Sequence, residues 1–277
     1  MSAPRRRRRW PRALSSTGLG KYLAIAALSA RQRLEERAAL WGRVLFYFII
    51  LFIFARLWAA LLGAPSSGHG PGASRFVWYL AVTEWIMLSQ PLLHFDIEAE
   101  IRAGDVGHQL SRPVSYVAAK LAENAGEVAI RLLVLGASGL IFARLLAGEW
   151  PEPGGLLLAA LAGVVSSAVM SLAYAAIGLS ALWLYDTTSL YLIWQKLCFV
   201  LGGLMLPLSI YPPWLRVIAA HSPFAALLFG PGQLVLDATP SRALDSALGL
   251  VGWGLCFALL LVALERRAVR AVTRNGG

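Results

Sequence analysis

The side chains placed to do chemistry in this chain are charged ones in apolar surroundings. Arg56 and Glu84 each fall inside a long apolar run, where an ionisable residue is a functional candidate by default. They lie about six and about eight residues from the far ends of their runs, roughly 9 and 12 Å deep at 1.5 Å per residue. Similar depth predicts an intramembrane ion pair across the first helical hairpin, a device that serves packing more often than substrate contact. Glu123, Glu127 and Arg131 recur at i, i+4 and i+8 on one stripe of a third run, so that stripe must face protein or a watery inlet. Lys196, near the end of another run, can snorkel to the headgroups.

A different kind of cluster sits between runs. "DIEAEIRAGD", residues 96–105, holds Asp96, Glu98, Glu100, Arg102 and Asp105 in a chain that is only 14% charged and 58% apolar. Its polar–apolar alternation formally matches a strand, yet a lone strand would leave its edges unpaired, and Glu, Ala and Arg are good helix formers. A short helix is therefore expected. Ile97 and Ile101 then share a face, Glu98 and Arg102 pair at i, i+4, and Gly104 stops the helix. The acids Glu98 and Glu100, with Arg102 and Asp105, are expected to project into water.

Familiar catalytic sets are missing. The three lysines stand outside any G-x-x-x-x-G-K-[ST] phosphate loop, so ATP hydrolysis by this polypeptide alone is not expected. His69, His94, His108 and His221 lack ligand spacing, so no metal site is expected. Cys198 and Cys256 both fall in apolar runs and read as small buried hydrophobes. "GHGPGAS" has no preceding strand and carries no weight as a nucleotide fingerprint.

The elements that must position these residues are transmembrane helices. Mean hydropathy is +0.63, and the apolar runs are of about 20 residues, enough to cross a hydrocarbon core of roughly 30 Å. Backbone groups must be satisfied within each segment, and the alternating ten-residue pattern of a barrel is missing, so an all-α membrane protein follows. Six spans are predicted, over about 41–62, 76–95, 121–146, from "EWPEPGG" to 184, 190–210 and 244–264. Between the last two, residues 211–240 are apolar but broken by prolines, which suits short helices dipping into the interface. In the fourth span Ala159, Gly163, Ser167, Ser171 and Ala175 give a smooth face for close helix packing, within the subunit or at a subunit interface.

Basic residues set the orientation. The segment 1–40 includes Arg5 to Arg9, and the tail 265–277 adds Arg266, Arg267, Arg270 and Arg274. The positive-inside rule puts both termini, and the loop with Arg102, Arg112 and Lys120, in the cytoplasm. Lys21 and the charged run 31–37 argue against a signal peptide. Arg5 to Arg9 read as an anchor on anionic lipid headgroups, with nucleic-acid binding the lesser alternative. Residues 18–40 read as an amphipathic helix along the inner leaflet.

With these parts in order, the chain resembles an ABC-2 type transporter permease of the six-span branch. The resemblance rests on "IEAEIRAGDVGHQLSRPVS", "LWLYDTTSLYLIWQK", "GGLMLPLSIYPPWLRVIAAHSPFAALLFGPGQLVLDA" and "RRAVRAVTRNGG". It implies a dimeric exporter in the bacterial cytoplasmic (inner) membrane, this chain forming half of the pathway beside itself or a related second permease. Two copies of a cytoplasmic ABC ATPase subunit would hold ATP and Mg, with no cofactor on this chain and no nucleic acid among the partners. It makes Ile97, Glu98, Glu100, Ile101, Arg102 and Asp105 the coupling helix that docks in the ATPase. It makes residues 211–240 an outer re-entrant hairpin, with Gly202, Gly203, Pro207, Pro212, Pro213, Trp214 and Pro223 at an outer gate. Spans rich in Leu, Ala, Phe and Trp favour a hydrophobic or amphiphilic cargo. The alternative is a stand-alone membrane protein, a secondary transporter or an intramembrane enzyme. It would need an inverted repeat with broken helices or a clustered catalytic set, and neither is convincing here.

Overall fold

A computed structural model describes residues 18–62, 71–104 and 115–275, and every regular element among them is helical. Helix α1 (Gly18–Glu35) is followed after one residue by α2 (Arg37–Leu62). Helix α3 (Pro71–Leu88) returns and bends at Ser89–Leu92, around Pro91, into the short α4 (Leu93–Arg102). Helix α5 (Tyr116–Ala147) is capped by the Ser115 hydroxyl, which accepts the Ala118 N–H at 3.1 Å, and it ends at Gly148 in the left-handed region, φ 79°. Helix α6 (Pro153–Leu179) starts with proline in its first turn, where no amide donor is needed. Then come α7 (Ala181–Leu184) and α8 (Thr188–Val200). A 3-10 turn at Leu208–Ile210, α9 (Pro213–Ala220), a π turn at Ala225–Phe229 and α10 (Gly230–Leu234) lead to the long α11 (Pro240–Asn275).

Among the described residues, four stretches are long and apolar enough to cross a membrane: Arg37–Ala60, Tyr116–Ala147, Pro153–Leu184 and Pro240–Ala268. Helix α3 has 18 residues, roughly 27 Å, and carries Arg75 and Glu84. The continuous helix expected over 190–210 does not form. Helix α8 has 13 residues, roughly 20 Å. The chain leaves it at Gly202–Gly203, with Gly203 at φ 64°, and Pro207 precedes the 3-10 turn. Carbonyls freed by this break are bonded inside the protein: the Tyr79 hydroxyl donates to Gly203 O at 2.6 Å and the Thr83 hydroxyl to Leu204 O at 2.8 Å. That is the condition on which irregular backbone is tolerated at membrane depth.

The small-residue face of α6 is used within the subunit. Ala159, Gly163, Ser167, Ser171 and Ala175 are all buried, and a Cβ added at Gly163 would lie 2.5 Å from the Trp85 ring of α3. Asn124 of α5 donates to the Ser171 hydroxyl at 2.8 Å across the same face.

The expected Arg56–Glu84 pair is not formed. Glu84 is buried on α3 with no ion pair among the described residues, whereas Arg56 is exposed on α2 with its guanidinium 5.2 Å over the Phe52 ring. Helical phase explains the difference. Tyr47, Leu51, Ala55 and Trp58 make the buried face of α2, and a residue one step past Ala55 is turned about 100° away from it. Similar depth was therefore not enough to bring the two charges together.

Candidate functional site

Helix α4 sits where the α3 bend, the start of α5 and the α6–α8 connection meet. Its register is set by packing: Ile97 and His94 are fully buried and Leu93 is nearly so. Close approach to α6 requires Gly178, where a Cβ would lie 2.8 Å from Ile97 Cβ and 3.0 Å from His94 Cα. The His94 ring stacks on Tyr191 of α8 at 4.1 Å and 20°, with Tyr174 of α6 at 5.7 Å. The helix ends as expected near Gly104, φ 74°, with Ala103 N–H on Ala99 O at 3.0 Å.

Glu98 corrects one expectation. It pairs with Arg102 at 2.5 Å, as the i, i+4 spacing implies, but it is buried rather than projecting into water. Its other oxygen accepts both the backbone N–H of Thr187, at 2.9 Å, and the Thr187 hydroxyl. Arg102 in turn donates from Nε to Tyr185 O at 2.9 Å and lies 4.6 Å over the Tyr185 ring. Tyr185 holds a positive φ of 61°, costly for a residue with a Cβ, so the connection is over-determined by its contacts. Asp186 accepts the Thr188 N–H at 2.8 Å, and these Thr188 hydrogen bonds hold its carboxyl below the usual range. Together they fasten the α6–α8 connection rigidly to α4.

Glu100 is half-buried on another side of α4, bonded to the Tyr116 hydroxyl at 2.8 Å and Lys120 Nζ at 2.7 Å. Beyond it a polar groove of about 360 Å³ runs between α1, α4 and α5, with Arg33, Glu36, Asp96, Lys120 and Glu127 on its walls. Desolvation holds the Asp96 carboxyl above its ordinary value; the charges of Glu127, Glu123 and Glu100 add to this, against the pull of Lys120.

Helix α1 closes the groove. A Cβ at Gly126 of α5 would fall 2.0 Å from Ala26 O, so the two helix backbones touch. Arg33 pairs with Glu127 at 2.5 Å, Glu127 pairs with Arg131, and Arg131 donates to Gln90 O at 2.8 Å in the α3–α4 bend. The charged stripe of α5 thus faces protein at Glu127 and Arg131 and opens to the polar groove at Glu123.

What remains on the surface of α4 and the turn that ends it is Asp96, Ala99, Arg102, Ala103 and Gly104, beside Trp183, Leu184 and Tyr185 of the connection. Ile97 belongs to the core and Ile101 is half-buried, and Asp105 lies outside the described residues. At the far end of the bundle, Gly202 abuts Leu228, and Gly232 abuts Tyr79 and Thr83. Trp214 opens α9 fully on the surface, with Pro212 and Pro213 at the helix start and Pro223 between α9 and the π turn.

Residue spacing pointed to the Glu98–Arg102 pair but not to Thr187, Tyr185, Tyr116 or Arg33. All four lie far along the chain from the groups they hold. The one local signal was "YDTTS", whose Asp–Thr–Thr is turn and cap chemistry.

Apolar helices long enough to cross a membrane, with a buried polar knot at one end, describe a membrane-spanning protein. The family model described as ABC-2 family transporter protein matches residues 81–276, and the chain belongs to that family. ABC-2 permeases are the membrane component of transporters and work in general with an ATPase partner. A search among curated proteins returned no match.

Proposed function

We propose that this chain is the transmembrane permease subunit of an ATP-binding-cassette exporter. It forms half of a translocation pathway in a bacterial cytoplasmic membrane, paired with a second copy or a related permease. Two copies of a separate cytoplasmic ATPase subunit, carrying ATP and Mg, drive it. The six crossings are α2, α3, α5, α6 and α11, with α8 and the irregular stretch after it as the fifth, and both termini lie in the cytoplasm. Family membership supports the class. The observation that carries the coupling role is the bracing of α4 on three sides: Glu98 to Thr187, Glu100 to Tyr116 and Lys120, Ile97 to Gly178. A knob held this stiffly passes a push from a docked partner into α5, α6 and α8 together. The cargo is hydrophobic or amphiphilic, and the segment 211–240 closes the outer exit.

Gentle purification of the full chain from its native membrane, with ATP and Mg present, is expected to bring down a soluble ATP-binding protein, in equal amount for a pair of identical permeases and in twofold amount for a pair of related ones. Repeated recovery of the chain without one would contradict the proposal.

A further inference from the structure

Two cavities adjoin at the end of the bundle opposite α4. One, of about 570 Å³, is walled by apolar side chains of α2, α3, α5 and α6, among them Trp85, Leu132, Ala137, Leu140 and Leu157. That is within the usual 300–1,000 Å³ of small-molecule sites. The other, of about 240 Å³, is polar and holds Arg75, Glu149 and Glu152. Trp78 lines both; it is buried, and its indole N–H donates to Glu149 O at 3.0 Å. A polar mouth above an apolar slot, with an indole at the boundary, is the shape of an amphiphile standing in a leaflet. The polar groups of the slot are already engaged: the Tyr47 hydroxyl with Ala81 O at 2.6 Å, and the Trp85 indole N–H with Leu132 O at 2.9 Å. The slot therefore offers its occupant only apolar contact, and in a bilayer the neighbour at hand is an acyl chain.

The mouth specifies the head. Arg75 uses one donor on Leu236 O, at 2.6 Å, which leaves guanidinium N–H groups for a phosphate. Glu149 and Glu152 are exposed and take part in no ion pair among the described residues. Asp237, the third acid of this mouth, is already paired with Arg242, so one cation beside two unpaired acids remains, which matches a phosphate followed by a hydrogen-bonding ammonium. It repels an anionic head, and it offers a choline, which has no N–H, no hydrogen bond.

We propose that these cavities seat one phosphatidylethanolamine molecule, its phosphate on Arg75, its ammonium between Glu149 and Glu152, and an acyl chain in the slot beneath Trp78. This goes beyond the transporter reading and rests only on the helices crossing a bilayer. Its test measures lipid contact without ATPase or transport, so the two readings fail separately.

The full chain is placed in nanodiscs of mixed phospholipid containing one probe at a time: phosphatidylethanolamine, phosphatidylcholine or phosphatidylglycerol, each with a diazirine in an acyl chain. After irradiation, labelled peptides are mapped by mass spectrometry. The ethanolamine probe is expected to label residues 132–140 and 156–160 roughly fivefold more than the other two, the discrimination a partly solvated ion pair provides. Ala137→Trp, which fills the exposed rim of the slot, should reduce that labelling to background while labelling on the exposed α11 face around Leu255 persists. Glu149→Gln with Glu152→Gln, both on the surface and so harmless to folding, should bring the ethanolamine probe down to the choline level. Equal labelling by all three probes, or ethanolamine labelling unchanged in the double variant, would overturn the proposal.

Discussion

Glu98→Ala is expected to destabilise the protein by about 3 kcal/mol, the usual scale for breaking a buried charged network by removing one partner. The change strands the Thr187 N–H and hydroxyl without an acceptor and deprives Arg102 of its carboxylate, in a place where Glu98 is 6% exposed. Thr187→Val removes one hydrogen bond and leaves the rest, so its cost should be about 1 kcal/mol. Cys256 is exposed rather than buried as expected, so thermal unfolding in detergent is followed in a Cys256→Ser background, where a fluorescent thiol dye on the buried Cys198 reads both losses. Glu98→Ala melting together with the native protein would mean that the knot does not hold the connection to α4. Because Glu98 is structural, a charge reversal there reports on folding, and probes of docking belong at Ala99 and Ala103.

Gly126→Leu should release α1 from the bundle. The first carbon of any side chain there would meet the Ala26 carbonyl oxygen at 2.0 Å, and backbone cannot move aside as a flexible side chain can. The expected cost is about 3 kcal/mol, at the upper end for overpacking. Gly42→Ala on α2 is the control, because nothing lies within 4 Å of a Cβ at that position. A cysteine at the buried Ser29 of α1 should react with a water-soluble maleimide in the Gly126→Leu background and stay protected in the Gly42→Ala background. Protection in both would show that α1 is held by other contacts, Arg33 with Glu127 foremost.

The long apolar helices and the short charged helix were legible because each depends on local features: run length, helix formers, and a glycine stop at Gly104. The Glu98–Arg102 pair was legible for the same reason, being one helical turn apart. What failed depended on phase or distance. Arg56 and Glu84 matched in depth, but the buried face of α2 is set by Tyr47, Leu51, Ala55 and Trp58. The 190–210 run was apolar enough for a helix, yet Gly202–Gly203 break it once Tyr79 and Thr83 supply partners for the freed carbonyls. Glu98 looked like a surface charge because its acceptor role is to Thr187, 89 residues away.

The exposed face of α4 is the surface proposed to touch the ATPase, and cysteine cross-linking probes that contact. With single cysteines at Ala99 or Ala103, both exposed, a short bifunctional reagent applied to the native-membrane complex should join this chain to a soluble ATP-binding subunit. A cysteine at Trp214, on the exposed start of α9 at the other end of the bundle, should not form that adduct. An ATP-binding subunit that copurifies with the chain but cross-links from neither Ala99 nor Ala103 would contradict the account.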